Sequence, residues 1–535
     1  MRAIVLLLAS LLAGPAALGA KKDQETKSEF TSLTKEELAR FKAPVQTGAP
    51  PAWDVQTGEA YRDIAANYKA SDKRSPSGSN LVGSEDLLSD KFKREFRKEY
   101  LAIRDGYTYG NFLKKWDRLY DEKPNELPDD VKFAVLRLAT MLPLQGVVWR
   151  AVPAVHNQII TQEMLLAQMK NMGQNMLIHE PDNHVKAQLG FMTLPHKDIL
   201  NKRFKNEGDF LAYLSREVYP ALQKAVGRLE RLTANANSGK PLVFDGQIRW
   251  GDGAFEATYD ARDRYRIIGL GEIYAQLARY HRRMAGIAQL VAYNWNGYTV
   301  LMKQIGEKYG IDIAKSKANE FFTNFGGEQE VYVDGLHRSE RVAITRNHRN
   351  IWTLTPDGAA WMKRAWNHTV ANVELLNASW NIIRDTKDPS EYMLIDPEVM
   401  QGRRDQVQKG VDNLLRLVRG NHRTPGVAEL RGDISGDRVY VNLKAFYENP
   451  PHDLKDLLPT EFNKHNDISL MKQHFPDMKP VRDDLISMTV GDTKGVVWRN
   501  YLYDRAWRWD TSERAYGRLF PYSRAATSIG DARRI

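Results

Sequence analysis

IIGLGEIYAQLARYHRRMAGIAQLVAYNWNGYTVLMKQI, residues Ile267 to Ile305, carries the longest unbroken helical periodicity in the chain. Ile267, Leu270, Tyr274, Leu277, His281, Met284, Ala288, Val291, Trp295, Tyr298, Met302 and Ile305 follow one another in steps of three and four, as one face of a helix requires. A second row, Ile273, Tyr280 and Ile287, widens the apolar arc beyond the seam of a simple coiled coil. A helix of this kind has to be covered on several sides. The stretch therefore predicts a mainly α, multi-helix body built around a long buried central helix, with Asn294-Trp295-Asn296-Gly297 as the place where it bends or divides. His281 is the one polar member of the main row. A buried imidazole needs a hydrogen-bond partner, which makes His281 a satisfied core residue first and a proton-transfer or ligand candidate second.

At 535 residues the chain is too long for one core and suggests several packed units. The boundaries expected from composition are a leader at 1–20, a polar segment at 21–80, a helical region at 81–235, a central helical region with β hairpins at 236–425, and a mixed region at 426–535. Met1-Arg2, an apolar run from Ala3 to Leu12 and the small-residue end Ala13 to Ala20 have the form of a secretory signal. They predict a periplasmic or secreted protein with no membrane span after cleavage. Met284 to Met302 is free of charge for nearly a span's length, but its Gln, Asn and Gly residues make it too polar for lipid.

The sequence has no cysteine, which excludes disulfides, thiol catalysis and cysteine-held metals. A formal charge of +10 and a pI near 9.3 would suggest nucleic acid in a cytoplasmic protein. Export redirects that expectation to an envelope protein or an anionic cell-wall polymer, with no nucleic acid partner and no cofactor.

Successive helices are expected from Ser84 to Thr233, among them an amphipathic one through Phe210, Leu214, Val218, Leu222, Val226 and Leu229 that Pro220 should kink. Small hairpins are expected around Asp245-Gly246 and between Glu330 and Thr355. A helix after Thr355-Pro356 should present Trp361, Ala365, Val373, Leu376, Trp380 and Ile383 on one face. Another should run from Gln401 to Gly420, and a strand from Arg438 to Phe446. No repeat recurs at a fixed period, so a helical solenoid is not supported.

Four clusters contain residues able to do chemistry. His179, Glu180 and His184, with His196 further on, have metal-ligand types, but the first two histidines are five apart with Pro181 between them, unlike a zinc-protease helix. A polar inter-helix loop is the expected reading, and no metal is predicted. Asp252, Glu256 and Asp260 fall at i, i+4, i+8, where paired acids could cleave a glycosidic bond or simply enrich a helix N-terminus. His281 is the third. The fourth is Trp498, Arg499, Tyr503, Arg505, Trp507, Arg508 and Trp509, whose aromatic and guanidinium faces suit sugar rings or anions and equally suit docking of the C-terminus onto the body. No catalytic motif outweighs its structural explanation. The expectation is a non-catalytic envelope scaffold or binding protein, with a cell-wall hydrolase acting on glycan or peptide as the alternative.

Overall fold

The computed structural model describes residues 35–53, 61–62, 90–151, 183–236, 242–245, 265–268, 270–298, 300, 350–384, 397–419, 427–431, 438–454, 487–490 and 493–496. The fold is mainly α. In chain order the principal helices are α1 (Lys35–Lys42), α2 (Lys91–Leu101), α3 (Gly106–Glu122), α4 (Asp129–Ala139), α5 (Asn183–Thr193), α6 (Glu207–Tyr213), α7 (Tyr219–Ala236), α8 (Leu270–Ala292), α9 (Gly358–Arg384) and α10 (Pro397–Arg419).

The central helix expected from the three-four pattern is α8. Its first residue is Leu270 rather than Ile267, because Tyr265–Ile268 pairs antiparallel with Leu242–Asp245. Ile267 and Ile268 are β-branched and precede Gly269, a combination that favours extended chain over a first helical turn. At its other end the helix stops at Ala292, and Asn294 to Gly297 divides it from Tyr298 as the sequence suggested. Gly297 takes φ +83° there, a conformation that favours glycine.

The division folds α9 back along α8. The Thr355 amide donates to the Ala292 carbonyl at 2.9 Å. Gly358, at the start of α9, lies so close that a Cβ would stand 2.3 Å from the same carbonyl oxygen. Asn294 and the returning chain exchange two main-chain bonds, Asn294 N to Thr353 O at 2.8 Å and Trp352 N to Asn294 O at 2.7 Å. The two helices therefore run antiparallel and share the most extensive interface in the molecule. α7 covers another side of α8, and α10 packs on α9. Trp361, Tyr219 and Tyr280 are among the largest side chains fully buried in this layer, each worth roughly 2 to 3 kcal/mol of apolar burial.

A second layer comprises α2 to α5, with α4 also touching α7. Its starts are capped: the Asp90 carboxylate accepts from Phe92 N at 2.7 Å and Lys93 N at 3.1 Å, and Asp105 forms a capping box with Thr108. Phe96, Phe112 and Trp116 meet edge to face or tilted, with centroids 4.8 to 6.3 Å apart. One stretch among the described residues, Asp129–Ala151, is long and apolar enough to cross a membrane, yet most of it is buried inside this body.

Pro220 acts differently from a simple kink. With no N–H and a ring that crowds the carbonyl four residues back, it is preceded by a π turn at Leu214–Val218 in which Tyr219 N reaches Leu214 O. The expected single amphipathic helix is thus α6, a π turn and α7 in succession. Further on, Arg438–Asn442 pairs with Val427–Arg431 and the chain becomes helical at Leu443, before the Phe446 end expected for that strand. Of the β segment expected between Glu330 and Thr355, residues 330–349 lie outside the described residues, as does most of the C-terminal region, and Thr353 and Leu354 make isolated bridges to Asp453 and Tyr293.

Candidate functional site

α8 places His281, and α9 places His368, at the same level of their antiparallel pair. The two Nδ1 atoms are 2.9 Å apart and the residues are 1% and 2% exposed. One Nδ1 must carry a proton and the other must accept it. On the far side of His368, Nε2 is 2.6 Å from the Tyr219 hydroxyl of α7. On the far side of His281, Nε2 is 3.4 Å from the Tyr61 hydroxyl, which in turn donates to the Glu230 carboxylate of α7. Five side chains thus form one file through the core.

The file has a direction. Arg364 lies beside Tyr219 and works against the burial that pushes the phenol up to about 12. A cation on that side favours the hydroxyl proton pointing away, toward His368 Nε2. His368 then donates from Nδ1 to His281, His281 donates from Nε2 to Tyr61, and Tyr61 donates to Glu230. Every imidazole nitrogen is used once and both rings are neutral. Burial alone drives His281 down to about 3. His368 is held well below the usual histidine value by burial, with His281 and Arg364 adding to it. Tyr61 is pushed up by burial and then by the Glu230 charge, and Glu230 itself is raised by burial, with Tyr61 and Arg231 opposing.

The pair is sealed by the N-terminal segment. Trp53 meets His368 and His281 edge-on, with centroids at 4.8 and 5.8 Å. Ahead of Trp53, residues 44–53 are neither helix nor strand, and side chains of the body hold their carbonyls in series. Asn296 Nδ2 donates to Ala43 O at 2.8 Å, Arg216 Nη2 to Gln46 O at 2.8 Å and Ser215 Oγ to Thr47 O at 2.8 Å. Trp361 Nε1 donates to Gly48 O at 2.7 Å, Arg364 Nη1 to Pro51 O at 3.2 Å and Gln223 Nε2 to Ala52 O at 2.7 Å. Asn350 Nδ2 holds Phe41 O at 2.9 Å. The Phe41 ring fills the space left by Gly297, where a Cβ would fall 2.2 Å from it. The strap is a polypeptide ligand bound by its own chain.

The remaining buried charges tie helices together. Arg228 of α7, 2% exposed, reaches Asp117 and Asp121 of α3 at 2.5 Å each and lies 4.1 Å over the Tyr120 ring. Glu374 of α9 takes both Nε, at 2.8 Å, and Nη2 of Arg419 of α10. Arg150 lies over the neighbouring Phe204 and Tyr213 rings, 4.6 and 4.4 Å from their centroids, and pairs with Glu217.

Of the residues singled out in the sequence, His281 is at this centre, with a partner as expected. His184 of α5 stacks on Tyr100 of α2 at 4.5 Å and 9°, its Nε2 3.0 Å from the Tyr100 carbonyl. His196 has Nε2 3.1 Å from Phe191 O. Among the described residues no three His, Asp or Glu are grouped to hold a metal ion. His179, Glu180, Asp252, Glu256, Asp260, Trp498, Arg499, Tyr503, Arg505, Trp507, Arg508 and Trp509 lie outside the described residues. His368, Tyr219, Tyr61 and Glu230 were not singled out. His368 had a signal, since it continues the Trp361 and Ala365 face at the next three-residue step. No protein-family model, curated protein or solved structure matches the chain.

Proposed function

We propose that this chain is an exported, non-catalytic envelope protein that acts as a scaffold by binding a partner. The observation that carries this reading is the strap: a helical body whose side chains hold an irregular, non-helical segment by its carbonyls is suited to recognition. The secretory form of residues 1–20 and the +10 charge support an envelope setting with an envelope protein or an anionic wall polymer as partner. The Arg and aromatic residues from Trp498 to Trp509 add a surface suited to such polymers. Small hairpins between the helices and a mixed C-terminal region complete the proposed architecture.

Incubation of the purified protein with isolated cell wall tests the reading. Co-sedimentation without release of soluble fragments is expected. Release that disappears in Glu256→Gln or His179→Ala would replace it with a wall hydrolase.

A further inference from the structure

We propose that the seat of residues 41–53 is a binding site for a proline-bearing polypeptide of a partner protein, neither helix nor strand, which competes with the chain's own strap. This deepens the binding reading above and rests on it. The chemistry of the seat defines the ligand class. Its donors address main-chain carbonyls, so they accept many sequences provided the chain follows the same path, with a left-handed residue where Gly48 stands. Among the described residues no backbone ladder ties 44–53 to the body; side-chain donors, the two aromatic anchors, Val45 packed on the core and the buried Thr47 hold the strap. Pro44, Pro50 and Pro51 fix φ near the polyproline value and have no N–H to satisfy, which suits a seat that reads carbonyls only. The anchors set the register: Phe41 fills the space at Gly297, and Trp53 closes over the histidine pair. A competing segment therefore needs an aromatic residue at each end of a proline-containing stretch of the same length.

The resident strap is present at the high effective concentration of a tethered ligand, so wild-type protein should bind an added peptide weakly. Gly48 provides a way to weaken the strap alone. It sits at φ +68° and a Cβ there would touch nothing within 4 Å, so Gly48→Ala strains the segment without altering the seat.

The experiment measures binding of a fluorescent peptide spanning residues 39–55 to the full-length chain. The expected result is binding roughly tenfold tighter to Gly48→Ala than to wild type. Adding Arg216→Ala and Gln223→Ala to that background should weaken it by roughly tenfold again through two lost donors. Trp53→Ala, with its helical circular dichroism checked, gives a second weakened strap and should behave like Gly48→Ala. No binding to either folded variant would overturn the proposal. Equal binding of a peptide whose prolines and aromatics are all replaced by alanine would overturn it too. Wall co-sedimentation of the same variants separates the two readings: peptide binding can fail while co-sedimentation persists, which rejects this partner class and leaves the scaffold reading standing.

Discussion

Two of the polar networks that cross-link the helices of this protein solve the cost of burial in opposite ways. Around the α8 and α9 pair the groups are neutral, buried and joined in file, from Tyr219 through His368 and His281 to Tyr61. Between α3 and α7 they are charged and meet at the rim, where Arg228 is buried but Asp121 is half exposed. Neutral groups escape the solvation penalty of charge but must each find a partner. Charged groups at the rim keep part of their water and tolerate loss of a partner. The first network should thus fail by losing one member or gaining a proton, the second only gradually.

The sharpest way to break this contrast is substitution in the file. His368→Leu leaves the His281 Nδ1 without its donor and the Tyr219 hydroxyl proton without its acceptor, and should cost about 3 kcal/mol in urea denaturation. His281→Leu/His368→Leu should cost clearly less than the sum of its two singles, because both ends of the central bond are removed together. Additive costs would mean the rings are not coupled.

Acid comes next. The folded values of His281 and His368 are depressed, so their contribution is complete above the unfolded value of about 6.5 and is lost as pH falls below it, for His281 down to about 3. By pH 5 His281 alone should remove about 2 kcal/mol, with His368 acting in the same direction. At Asp121 burial raises the carboxyl, but the bonds to Lys224 and Arg228 outweigh it and hold it below its usual range. Its contribution is present above about pH 4 and lost only below that. Stability measured between pH 7 and 5 should fall in wild type and fall much less in the double leucine variant.

The rim network should respond more gently. Arg228→Met should cost about 1 to 2 kcal/mol, less than a fully buried pair, because water reaches Asp121. Lys224→Met, whose ammonium is exposed and pairs with the same two carboxylates, should cost under about 1 kcal/mol. Thermal unfolding of the two variants should keep this order.

The contrast also explains what the sequence could disclose. α8 was legible because a buried helix repeats its apolar residues locally, and its end at Asn294 to Gly297 was legible because turn chemistry is local too. The start at Leu270 was not, since it depends on a pairing with Leu242–Asp245. His281 could be recognised as needing a partner, but the partner stands 87 residues away, and helical periodicity gives a face without saying which other face it meets. The strap was hidden for a related reason. Carbonyl groups are common to every residue, so nothing in 43–53 beyond its prolines marks it as held.

The paired bonds between Asn294 and the chain at Trp352 and Thr353 bring the departure and return of residues 301–349 side by side. Tyr298 and Trp352 stand on either side of that junction with ring centroids 6.2 Å apart. The α8 and α9 pair is thereby closed at this end by main-chain bonds, so its register does not rest on side chains alone.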